Sequence, residues 1–351
     1  MSTKRRNQRS LPGGFPRQVL QWAAVAILVI IALLVPTFLE SYGLHVMIIA
    51  FWYAVLSSSW SLLAGYAGQF SFAHVAFTAI GAYTTGMLGM HFDWPPLVGI
   101  VSGVLMAGVV GLAIGALVLR FKPAYLALFT IAFSEILRLL IRGEPQLTRG
   151  DHGLRLDPLL RLDVTSRVPH YYIMLAILVG CLFLMHWLVS SRIGLFLRAI
   201  REDEEAAAAR GVDVVRYKVF AFAITSMIAG LAGAFYGHYT TILSPNMLVL
   251  TQMGLVMSMA IIGGVENLIA AAFGGILIQV GLELLREFGP WRLVIFGALL
   301  MIMLRFARNG LLTPLFRLLF DHGPQAEMQE GTGAAAEEAA PVAEEVTADG
   351  A

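Results

Sequence analysis

Ten apolar runs of roughly membrane-spanning length follow one another along this chain, and they leave little room for any other architecture. They cover residues 19–39, 44–63, 67–90, 96–119, 124–142, 171–190, 217–240, 250–269, 270–288 and 291–308. A helix needs about 20 mostly apolar residues to cross the hydrocarbon layer. No water is available there to bond the backbone, so repeated runs of this length form a bundle of helices. Charged residues are only 13% of the chain, against about 25% in soluble domains. The sequence therefore predicts an all-α polytopic membrane protein with about ten membrane-embedded helices. A soluble enzyme is excluded, and no nucleic acid is expected as a partner.

Basic residues set the expected orientation, because Lys and Arg concentrate in cytoplasmic loops. The first segment, 1–18, carries Lys4, Arg5, Arg6, Arg9 and Arg17. A signal peptide's apolar region is about 7–15 residues long; the 19–39 run exceeds that, so it reads as a retained span. With the N-terminus inside, ten spans also put Arg120, Lys122, the Arg192–Lys218 segment, Arg305, Arg308 and Arg317 inside. Both termini are then cytoplasmic. The 143–169 segment runs against the rule, with Arg149, Arg155, Arg161 and Arg167, although Glu144, Asp151, Asp157 and Asp163 are interleaved with them. The membrane domain is expected over 19–312 and a cytoplasmic tail over 313–351. From Gly323 the tail has seven acidic residues and no Lys or Arg; without them the net charge of +1 becomes +8. Its Ala, Glu, Gly and Pro cannot bury enough surface to fold, so disorder is expected from about residue 323.

Two regions are dense in small residues, which let helix backbones approach closely in lipid. One is Gly65–Gly86; the other is Gly263–Gly275. One in each half, they resemble paired structural repeats, which flank the substrate path in transporters. Both the third run and the 250–288 pair read as helices that could be broken or re-entrant. Gln69, Ser71, His74, Gly263 and Gly264 are the candidate translocation-path residues; close packing and bonds between helices are the plainer roles for the same residue types. Glu135 and Arg138 lie one turn apart and read as a structural ion pair. Glu266 in the second glycine region, and Glu283 with Arg286, read in the same way. Cys181 is the only cysteine and lies in an apolar run, so no intramolecular disulfide framework exists.

The segment between the sixth and seventh runs, 191–216, is the most polar interior stretch. Ile200–Arg210 is rich in Glu and Ala and predicts one helix, with Gly211 as its C-terminal cap. Leu195, Ile200 and Val212 give it an apolar side, and its acidic residues and alanines a dockable one. On composition alone a solvated loop helix is the simpler reading.

A resemblance adds to this. Glu205-Ala206-Ala207 followed by Gly211 resembles the EAA-type loop of ABC importer permeases. The flanking run from Ser191 to Ala207 is similar to that of the branched-chain amino-acid permease family. So are Leu63–Phe77 (Leu-Ala-Gly-Tyr-Ala-Gly-Gln-Phe-Ser-Phe-Ala-His-Val-Ala-Phe) with Gly81-Ala82-Tyr83, and Ala229–Tyr239 with Ser244-Pro245. These segments span residues 40–312 in order, and resemble the M-type subunit more than its H-type companion. The family commonly shows Gly-Gly-x-Gly-(Ser/Thr) and Gly-Pro late in the chain; here Glu266-Asn267 and Ala270-Ala271 replace part of it.

The resemblance implies a permease subunit in the bacterial inner membrane that carries branched-chain or other hydrophobic amino acids. It also implies two ABC ATPase subunits, a second permease chain and an external solute-binding protein as partners. The coupling residues would be Glu202, Asp203, Glu205, Ala206, Ala207 and Gly211. No Walker A sequence occurs, so ATP is expected on partner subunits and no cofactor on this chain. Nor does a G-x-S-x-G nucleophile motif or a metal-ligand cluster occur. The alternatives are a permease of the same type for urea, short amides or aromatic acids, and an ion-coupled secondary transporter. A membrane enzyme would need intramembrane catalytic pairs, and Glu135/Arg138 is the sole pair in view.

Overall fold

A computed structural model describes residues 31–118, 123–159, 167–289 and 291–306. The basic 1–18 segment, most of the first run and the 313–351 tail lie outside the described residues. The described chain is helical apart from its connections and one two-stranded pair. After a helical stretch at 31–38, the long elements are α1 Ser41–Ser61, α2 His74–Phe92, α3 Pro96–Val118, α4 Pro123–Gly143 and α5 Val168–Ser190. Two short helices follow, α6 Arg192–Glu202 and α7 Glu204–Ala209. Then come α8 Val214–Thr240, α9 Leu250–Gly263, α10 Leu268–Leu284 and α11 Trp291–Phe306. Strand β1, Leu154–Arg155, pairs antiparallel with β2, Ile242–Leu243, with Leu154 opposite Leu243.

Five stretches of the described residues are long and apolar enough to cross a bilayer: Ser41–Tyr66, Pro96–Leu117, Val168–Ser190, Val214–Thr240 and Leu268–Phe288. Two expected spans differ. The third run does not begin as a helix at residue 67; residues 67–73 are irregular and α2 starts at His74. Gly68 takes φ +68°, and the Ser71 hydroxyl accepts from the amide of Ala73, two residues ahead, at 3.2 Å. Such a local bond competes with the helical ladder. The eighth run also stops early. α9 has 14 residues, about 21 Å of helix, and ends where Gly264 takes φ +130°. Asn267 then caps α10 by accepting from the Ile269 and Ala270 amides, both at 3.1 Å.

The helices divide between two ends of the bundle. At one, the strand end, β1 meets β2, and Thr85 near the end of α2 bonds His238 near the end of α8 (2.9 Å). Arg167, just before α5, donates to the Ser41 carbonyl at the start of α1 (2.7 Å). At the other, the loop end, lie α6, α7 and the 264–267 turn.

Backbone contact through glycine holds the core together. α8 packs on α2 and α3, and α10 packs on α1. A Cβ at Gly233 would lie 1.9 Å from the Thr78 carbonyl oxygen, and one at Gly81 would lie 2.1 Å from that of Gly230. Lipid tails are as apolar as any side chain, so such packing, more than apolar burial, drives helix association here. The outer faces of α3 and α5 present Leu105, Val109, Leu112, Phe183 and Trp187.

Gly233→Ala should lower stability by about 3 kcal/mol or more, since overpacking against backbone cannot relax. Gly180→Ala, on α5 with no atom within 4 Å of its Cβ position, should leave the melting temperature unchanged or raise it. Thermal unfolding of the two detergent-solubilised variants checks the contrast.

Candidate functional site

The 191–213 loop is built from two helices, each with its own side-chain cap. Ser191 opens α6 by accepting from the Ile193 amide (3.2 Å). Asp203 breaks the expected single helix: its backbone is extended (φ −154°, ψ 108°) and its carboxylate accepts from the Ala206 amide at 2.9 Å, opening α7. Asp213 opens α8 through the Arg216 amide (3.0 Å). An N-terminal cap of this kind is worth about 1 kcal/mol. α7 closes with a paired C-terminal cap, in which the Gly211 amide bonds the Ala208 carbonyl (2.9 Å) and the Val212 amide bonds that of Ala207 (3.2 Å). Gly211 carries the φ of +84° that this motif requires.

α6 buries Gly194, Leu197 and Ile200. Leu195, expected on the apolar side, is 64% exposed, and Leu197 fills that place. Of the candidate coupling residues, Glu202, Asp203, Glu205, Ala206 and Gly211 are exposed and adjacent, while Ala207 is buried against the protein. The loop surface is therefore an acidic and alanine-bearing ridge on a capped, two-helix base. The Lys218 ammonium holds the Glu204 carboxylate at 2.5 Å and ties α7 to α8.

Directly beneath lie two interruptions of the membrane helices. The first runs through the π-helical turn Leu62–Tyr66 into the irregular 67–73 segment. Irregular backbone is tolerated at membrane depth only where protein surrounds it, and here neighbours satisfy it. The Trp60 indole donates to the Ser71 carbonyl (2.9 Å). The Phe72 amide donates to Thr130 Oγ1 on α4 (3.0 Å), and Ser134 Oγ donates to the Phe72 carbonyl (3.2 Å). The second interruption is the 264–267 turn. A Cβ at Gly65 would lie 1.9 Å from the Val265 carbonyl oxygen. Ser61 Oγ donates to that carbonyl (2.5 Å), and Tyr66 Oη to the Glu266 carbonyl (2.6 Å). The two interruptions thus touch.

Of the candidate path residues, Gln69, Ser71 and His74 are buried together in the first interruption. His74 Nε2 lies 3.5 Å from Ser59 Oγ, whose hydroxyl donates to the Thr225 carbonyl at 3.2 Å. Gln69 Oε1, His74 Nδ1 and Tyr83 Oη have no hydrogen-bond partner among the described residues. Gly263 lies at the crossing of α9 and α10, where its Cβ would sit 2.3 Å from the Ala270 carbonyl oxygen, and Gly264 opens the turn. Both groups lie at the loop end, on interruptions that touch through Gly65 and Val265. Glu135 pairs with Arg138 (2.9 Å), and Glu283 with Arg286 (3.2 Å) beside Tyr42.

Sequence reasoning missed Arg201. Its guanidinium bonds the Gly65 carbonyl, the Glu266 carboxylate (3.1 Å) and the Glu202 carboxylate (2.7 Å). Burial works against its charge, but the bond to Glu202 and the attraction of Glu266 outweigh that and raise its pKa above the ordinary guanidinium value. Its one sequence signal was a basic residue at the head of an acidic run. The sequence carries a second signal in Ser57, Ser58, Ser59 and Ser61, which crowd one apolar span and are all fully buried.

Residues 42–304 match the family described as "Branched-chain amino acid transport system / permease component". The chain belongs to this family. Among similar proteins is the high-affinity branched-chain amino acid transport system permease protein LivM of Escherichia coli K12, 28% identical over 310 residues, 80% of this chain and 70% of the relative. LivM of Salmonella typhimurium is 27% identical over 335 residues, 87% of this chain and 76% of that one. The LivH permease protein of the same organism is 22% identical over 284 residues, 74% of this chain and 91% of that one. No solved structure matches significantly. The chain is thus a transport permease subunit rather than an enzyme, and a multi-pass membrane protein.

Thr130→Val should destabilise the protein by about 1–2 kcal/mol, because it orphans the Phe72 amide. Thermal unfolding, with hydrogen exchange at Phe72 rising in step, checks this.

Proposed function

We propose that this chain is a membrane subunit of an ATP-driven importer for branched-chain or other hydrophobic amino acids. The carrying observation is the α6–α7 ridge: a rigid, capped, exposed pair of helices seated on both helix interruptions at one end of the bundle. Two ABC ATPases would grip it from the cytoplasm through Glu202, Asp203, Glu205 and Ala206. A second permease chain completes the path, and an external binding protein delivers the solute. Both termini lie in the cytoplasm, with about ten membrane-embedded segments in the bacterial inner membrane. ATP stays on the partner subunits. The buried polar group Gln69, Ser71 and His74, with Gly263 and Gly264, borders the path. The family match and the relatives' names support the solute class.

The mechanism follows from the packing. The two turns beneath α6 must move together, because Gly65 and Val265 are in backbone contact and neither can yield alone. The interruptions are where helices can change direction with few broken bonds.

In proteoliposomes holding this chain, its second permease chain and the ATPases, leucine uptake should require ATP and the binding protein. Uptake driven by an ion gradient without the ATPases would overturn the reading. Gly211→Val forces a β-branched residue to positive φ, at about 1–3 kcal/mol. It should open the α7 cap and abolish uptake while membrane insertion is retained; unchanged uptake would sink the coupling role of the ridge.

A further inference from the structure

Two arginines one turn apart on α6 reach into the membrane domain, and they do different things. The Arg198 guanidinium lies over the Tyr66 ring, 5.1 Å from its centre. Arg201 bonds the Gly65 carbonyl, in the opening turn of the first interruption, and the Glu266 carboxylate, in the second. Gly68 lies under the Arg201 stem, with the position of a Cβ 3.0 Å from Cγ. One side chain of the loop thus holds both interruptions at once. Gly65 lies in the π-helical turn at the end of α1, where carbonyls lack helical partners and a cation is favoured. A planar guanidinium can bond a carbonyl and a carboxylate together; a lysine ammonium lacks that fork. The Arg201 side chain is 28% exposed and the Glu266 side chain 55% exposed, so the pair adds little stability in itself. Its geometry suits transmission better than support.

We propose that Arg201 is a positioning residue that carries movement of the α6–α7 ridge to both helix interruptions, with Glu266 as its anchor in the second. This rests on the importer reading above. When a partner displaces α6, Arg201 draws the Gly65 carbonyl and the Glu266 turn with it, so the two breaks move as one. Without Arg201 the ridge can still be gripped and the partner ATPases can still turn over, but the membrane segments no longer follow. The signature of this role is uncoupling, which a merely structural residue would not produce.

The test compares leucine uptake and ATP hydrolysis in the reconstituted complex for wild type, Arg201→Gln, Arg201→Lys and Glu266→Gln. Arg201→Gln should reduce leucine carried per ATP hydrolysed by about tenfold, while hydrolysis stays within about twofold of wild type. Glu266→Gln, which keeps the Gly65 bond, should reduce the ratio by about threefold. Arg201→Lys should fall between wild type and Arg201→Gln. An unchanged ratio in Arg201→Gln, whether both activities fall together or neither does, overturns the proposal. Should Arg201→Gln fail to assemble, the ratio in Arg201→Lys decides by the same criterion. A wild-type complex that shows no ATP-dependent leucine uptake overturns the importer reading and this inference with it.

Discussion

Backbone amides and carbonyls inside a bilayer have no water to turn to, and this fold depends on how that demand is met where helices break. Unbroken stretches satisfy it with their own ladders. The 62–73 and 264–267 interruptions do not, so they must borrow partners. Trp60, Thr130 and Ser134 serve the first; Ser61 and Tyr66 serve the second. Each borrowed bond also fixes a neighbouring helix, which is why α1, α4 and the α9–α10 hairpin meet at these points. A break in a membrane helix is therefore also a junction between helices.

Glycine sets how closely those junctions close. Where Gly65 meets Val265 and Gly233 meets Thr78, the contacts are backbone to backbone, and a single methyl group would part them. The two small-residue regions thus have a demonstrable packing role, and Gln69, Ser71 and His74 of the first are enclosed rather than displayed. Contacts of this kind transmit displacement well, because dense packing leaves no slack to absorb it.

Much of the fold was legible in the chain. Span length and hydropathy located α3, α5 and α8 to within a few residues, because apolar runs of that length have one outcome in lipid. The breaks were legible only as glycine-rich regions. What starts α2 at His74 rather than at residue 67 is the positive φ of Gly68 and the local bond from the Ala73 amide to the Ser71 hydroxyl, neither of which propensity captures. The 191–213 loop shows the same limit. Propensity reads Glu202-Asp203-Glu204-Glu205 as continuous helix, but Asp203 does better as a cap than as a helical residue and splits it in two. Arg201 and Glu266 lie 65 positions apart and follow no period, so their meeting belongs to the fold and left no mark in the sequence.

The three caps at Ser191, Asp203 and Asp213 bear on how fast and how tightly this protein can be held. Each fixes the start of a helix with the chain's own atoms, and Gly211 fixes an end in the same way. The ridge thus has a defined shape of its own. Ordering a flexible segment costs about 1–2 kcal/mol per residue at the moment of association. A surface set in advance avoids most of that cost, so contact area converts more fully into affinity. In the proposed coupling, the grip is then small, and is released and re-formed on every cycle without the loop unfolding.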